Sequence, residues 1–64
     1  MAQFEVSYQL GTREPNSGAF CSTGSVWYTM VVESSSLTNA QRQVEAMNGG
    51  YDRCLIGATF QKSN

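Results

Sequence analysis

At 64 residues the chain has room for one domain with a small core, because chains of this length bury only roughly 60% of their unfolded surface. An apolar share of 41% against 14% charged residues excludes an intrinsically disordered chain. The net charge of −1 comes with four scattered cations, the closest two (Arg53 and Lys62) nine positions apart, which excludes the basic footprint used to hold nucleic-acid phosphates or anionic lipid surfaces.

The opening segment MAQFEVSYQL carries no basic stretch, long apolar run or small-residue cleavage site, so no signal peptide is expected. Nowhere does the chain approach the roughly 20 apolar residues that a membrane-crossing helix needs. Within this segment Phe4, Val6, Tyr8 and Leu10 alternate with Glu5, Ser7 and Gln9. Period-two alternation predicts a strand over about 3–10 with one buried and one solvated face.

Residues 11–24, GTREPNSGAFCSTG, are punctuated by three glycines, a proline and Asn16 and read as a loop. The loop is long for a hairpin, so part of it is expected to extend the flanking strands, with the turn near Pro15-Asn16-Ser17-Gly18. Phe20 either folds back to cap the core edge or, with Arg13, belongs to a contact loop.

Residues 25–33, SVWYTMVVE, are β-branched and aromatic and predict a second strand. Val26, Tyr28, Met30 and Val32 fall on one face, Trp27, Thr29 and Val31 on the other, so both faces carry apolar groups. The serine triplet 34–36 closes this strand and opens a helix over about 37–48, with Ser36 as N-cap and Thr38 with Gln41 as the alternative capping box. Leu37, Ala40, Val44 and Met47 form its apolar stripe, and Asn48-Gly49-Gly50 ends it. A last strand over about 53–61 alternates Cys54, Ile56, Ala58 and Phe60 with Arg53, Leu55, Gly57 and Thr59; Lys62, Ser63 and Asn64 form a polar tail.

The order strand, strand, helix, strand predicts a single ββαβ domain over 1–64, of the α+β class. It is a three-stranded antiparallel sheet of order 2-1-3 with one helix packed on one face. The expected core gathers Phe4, Val6, Tyr8, Leu10, Val26, Tyr28, Met30, Val32, Leu37, Ala40, Val44, Met47, Cys54, Ile56, Ala58 and Phe60. The opposite face, if solvated, calls for polar residues throughout. Trp27, Val31 and Leu55 break that pattern, with Arg53 beside them. They point to a contact surface for a second copy of the chain or another protein.

Chemistry-bearing constellations are missing from the sequence. There is no histidine, the commonest general base and metal ligand. Cys21 and Cys54 are too few for a disulfide framework, have no companion ligands spaced for zinc, and read as free thiols in a reducing compartment. No glycine-rich phosphate loop is present, and the five carboxylates fall on separate elements. The expectation is therefore a protein that is not an enzyme and that uses no metal or cofactor.

From Val31 to Phe60 the chain resembles a pattern of small uncharacterised proteins from phage and bacterial genomes. It is carried by Ser35 and Ser36 after a strand, Ala40 and Val44 on the helix, and Gly49 before a closing strand with Ile56. The resemblance implies the ββαβ fold and a phage or bacterial origin, with no activity and no functional residues. Together these readings predict a small cytoplasmic protein, in the host cytoplasm if phage-encoded. It would work by protein–protein contact, as a host-factor-binding or assembly component and a homo-oligomer, through Trp27, Val31, Leu55, Arg53, Phe20 and Arg13. The alternative is a single-stranded nucleic-acid-binding module that stacks bases on the open sheet face.

Overall fold

A computed structural model describes residues 1–62, so Ser63 and Asn64 of the expected polar tail lie outside the described residues. The elements are β1 (Ala2–Arg13), β2 (Phe20–Ser22), β3 (Tyr28–Ser34), α1 (Leu37–Met47) and β4 (Cys54–Gln61). Strand β1 is central. It pairs antiparallel with β3 along one side, from Ala2 opposite Ser34 to Tyr8 opposite Tyr28. On the other side it pairs antiparallel with β4, from Phe4 opposite Gln61 to Leu10 opposite Cys54. The three long strands thus take the 2-1-3 order that the alternation of β1 implies, with an open sheet and an α+β fold.

The alternating face of β1 makes the core. Phe4, Val6 and Tyr8 are buried with Val32 of β3, Ala40 and Val44 of α1 and Cys54 of β4, while Ala2, Leu10, Met30 and Ile56 pack around them. Burying each large side chain contributes about 1.5–3 kcal/mol, and an eleven-residue helix has no stability apart from such packing. At its start, Ser36 Oγ accepts the Asn39 N–H at 3.1 Å, as its N-cap reading predicts. At its end Gly49 and Gly50 adopt φ of 99° and 87°, and Gly50 N–H donates to the Glu45 carbonyl at 2.8 Å.

Several sequence expectations give way. The helix stripe is shorter than its pattern: Ala40 and Val44 are buried, but Leu37 and Met47 at the two ends stand 44% and 60% exposed. Segment 11–24 is not all loop. Strand β1 continues to Arg13, a tight turn passes through Pro15–Ser17, and Phe20–Ser22 pairs back as β2, with Arg13 opposite Phe20. Glu14 N–H donates to the Ala19 carbonyl at 2.7 Å across the neck of that turn. Residues 23–27, partly read as strand, instead bulge out between β2 and β3, with Gly24 at φ 75° and Ser25 at φ 51°. Val26 accordingly leaves the expected core, 46% exposed; Tyr28, the first residue of β3, keeps its ring stacked on Tyr8 at 5.6 Å between centroids but is 44% exposed.

The remaining departure lies in β4. Between Val6 opposite Thr59 and Tyr8 opposite Ile56 the strand carries one more residue than β1, a β-bulge at Gly57 and Ala58. One inserted residue moves every later side chain to the other face. Thr59 now turns toward the helix, where its Oγ1 accepts Gln41 Nε2–H at 3.0 Å, and Phe60 emerges on the open face, 61% exposed. Ala58, expected in the core, is exposed at the bulge.

Candidate interaction surface

The face of the sheet away from α1 is built from alternate residues of three strands. Register sets Val31, Glu5 and Phe60 in one row across β3, β1 and β4, and sets Gln9 beside Leu55. Trp27 leaves the chain just before β3 and lays its indole across β1 onto β4. There a Cβ placed on Gly57 would sit 2.5 Å from the ring's Cζ3 and 2.9 Å from Cη2. The ring can reach the strand only because position 57 has no side chain. Trp27 and Val31 remain 54% and 46% exposed, and Leu55 is half-buried.

Of the six residues singled out in the sequence, Trp27, Val31 and Leu55 therefore share this face. Phe60 joins them, although unbroken alternation assigns it to the core. Gly57 inside a strand was the available signal, since an interior strand glycine often marks a bulge or a close approach.

The other three sit elsewhere. Arg53 belongs to the turn before β4, and its stem packs against the helix end, 2.9 Å from where a Cβ on Gly49 would be. There it lines an open depression with Leu10, Tyr28 and Asn48, so it is not part of the Trp27 cluster. Arg13 and Phe20 meet at the β1–β2 arm. The Arg13 guanidinium carbon lies 5.2 Å from the centroid of the Phe20 ring and 3.9 Å from that of Tyr51. Its Nε–H donates to the Tyr51 carbonyl at 3.1 Å and its Nη1–H to the Gly18 carbonyl at 3.0 Å. Arg13 is thus a clasp between the arm and the turn that precedes β4, and Tyr51 is the partner that sequence spacing did not reveal.

Cys21 is exposed and Cys54 buried, and both are free thiols. Burial, reinforced by the nearby Glu45 carboxylate and only partly offset by the Arg13 charge, raises the Cys54 pKa, which is the setting of an inert core thiol. Among the described residues no group of three or more His, Cys, Asp or Glu side chains is placed to hold a metal ion. No helix among them is long and apolar enough to cross a membrane.

Compared with known proteins, the chain matches no family model, no curated protein and no solved structure.

Proposed function

We propose that this chain is a non-enzymatic binding protein that engages a protein partner through the open face of its sheet. The observation that carries the reading is the cluster of Trp27, Val31, Leu55 and Phe60 on the face that the helix leaves uncovered. Tryptophan and phenylalanine, with Val31 and Leu55 set among the polar Glu5, Ser7, Gln9 and Thr29, give a partner large anchors of the kind on which binding energy concentrates. The indole is already seated on Gly57, so little side-chain freedom is lost on docking. A host factor or an assembly component in a phage or bacterial setting fits this reading.

The test is recovery of partners on the tagged chain against two variants, Trp27→Ala and Phe60→Ser, each checked for native circular dichroism. A partner lost in both supports the open face. Recovery unchanged in both overturns it and turns attention to the β1–β2 arm.

Base stacking of a single-stranded nucleic acid is the alternative, favoured by the aromatic pair on one face. Such platforms pair aromatics with cations. Here Arg53 is turned to the helix end and Arg13 is held between Phe20 and Tyr51, so the protein-partner reading leads. A salt-sensitive mobility shift of single-stranded DNA or RNA, lost in Trp27→Ala, would reverse that order.

A further inference from the structure

We infer that a second copy of this chain docks edge to edge along β3, extending the sheet through an antiparallel two-fold contact centred on Val31. Gly11 N–H and Arg13 N–H donate to carbonyls of Arg53 and Asp52, and the Gln3 carbonyl accepts Lys62 N–H, so the odd residues of β1 turn their peptide groups toward the β4 side. The even residues face the other way, as the Leu10 carbonyl accepting Thr23 N–H shows. In β3 their partners Tyr28, Met30, Val32 and Ser34 therefore direct their N–H and C=O groups into the sheet. Thr29, Val31 and Glu33 direct theirs outward along the free edge.

Such an edge is a template for another strand unless it is guarded. The β4 edge is guarded by its bulge at Gly57 and Ala58 and is followed by Lys62. The seven residues of β3, YTMVVES, hold no proline, no lysine and no bulge, and their one charge is Glu33.

The strand is also complementary to itself. Antiparallel pairing about Val31 aligns the whole of Tyr28–Ser34: Val31 meets Val31, Met30 meets Val32, Thr29 meets Glu33 and Tyr28 meets Ser34. The outward peptide groups fall in hydrogen-bonded pairs, each exchanging both bonds with its mate, and neither Glu33 faces its twin. Because 29, 31 and 33 have the same parity, helix-covered face continues into helix-covered face. The open-face row then runs Phe60, Glu5, Val31 and on through Val31, Glu5 and Phe60 of the second copy, doubling the apolar surface. A partner subunit is also the expected supplement for a chain whose own core is so small.

This contact does not depend on which partner takes the open face, and one experiment separates the two. Light scattering behind size exclusion at high micromolar concentration is expected to give a dimer for the wild type. Val31→Pro is expected to give a monomer, because the N–H it removes points away from β1 and is not needed by the folded chain. Trp27→Ser and Phe60→Ser alter the open face only and are expected to remain dimers. A strictly monomeric wild type overturns the inference, as does a dimer that survives Val31→Pro. Loss of the dimer in Trp27→Ser and Phe60→Ser overturns it in favour of face-to-face stacking. Should Val31→Pro fail to fold, amide exchange on the wild type decides: protection of the Thr29, Val31 and Glu33 amides must rise with protein concentration, and unchanged fast exchange there overturns the contact.

Discussion

Trp27 and Gly57 lock across the sheet: the indole edge occupies the space that a β-carbon at position 57 would fill, 2.5 Å from Cζ3. Gly57→Ala must therefore lift the ring. Because the ring is 54% exposed and can swing aside, the expected cost is about 1 kcal/mol, the low end for an added methyl that displaces a neighbour. Urea denaturation measures that loss, and a red shift of tryptophan fluorescence reports the ring moving into water. In Trp27→Ala the same glycine substitution is expected to cost much less, so the two effects are non-additive. Additive costs would show that the glycine serves backbone geometry alone.

The contrast between this pair and the rest of the sheet explains what the sequence makes legible. The alternation from Phe4 to Leu10 identifies the central strand because one face is buried and the other is not, and side chains report that directly. The helix is equally plain, since Ser36 and Gly49 mark its ends by local backbone chemistry. The β4 bulge escapes notice because alternation counts residues, and an extra residue resets the count without changing composition. Phe20–Ser22 is too short to show any period, and its pairing is fixed by the turn at Pro15–Ser17. The Arg13 clasp is invisible for another reason: Tyr51 lies 38 positions away, beyond any local pattern.

That clasp predicts a local effect. Removing the guanidinium in Arg13→Met forfeits two hydrogen bonds and two ring contacts, the latter worth about 0.5–1 kcal/mol each at a partly exposed site. The arm contains only the three residues of β2 and leans mainly on β1, so the loss is expected there. Amide exchange at Thr23 and Glu14, whose N–H groups donate to the Leu10 and Ala19 carbonyls in the arm, is expected to quicken, while the amides of Phe4, Val6 and Tyr8 keep their protection until global stability falls. Arg13→Lys is not expected to restore the arm, because an ammonium lacks the planar fork that reaches both carbonyls and stacks between rings.

The cap at Ser36 gives a third expectation. Its hydroxyl satisfies one of the orphan N–H groups at the start of α1. Ser36→Ala is expected to lower stability by about 1 kcal/mol, and Ser36→Asp to retain most of it, as measured by denaturant midpoints. Ser35→Ala makes the useful comparison. Ser35 Oγ accepts only the Asn39 side-chain amide, at 2.8 Å on the surface, so its loss is expected to cost less than that of Ser36.

Cys54 couples the core to alkaline pH. Burial, with Glu45 beside it, raises the folded thiol's pKa above its ordinary value, so the unfolded chain gives up this proton first as the pH rises. The unfolded chain then binds fewer protons than the native one, and stability falls with pH. The contribution is complete below the ordinary thiol range, about pH 8.5, and is lost as the pH climbs through the folded pKa. Urea midpoints for wild type and Cys54→Ala at about pH 7 and about pH 10 isolate it. The variant is expected to be less stable at neutral pH, from the vacated volume, yet to lose less on going to alkaline solution. Equal losses would mean that the alkaline slope belongs to other groups. Under native conditions a thiol reagent is expected to modify exposed Cys21 rapidly and to reach Cys54 only through unfolding, so the second modification should slow about tenfold for each ~1.4 kcal/mol of stability.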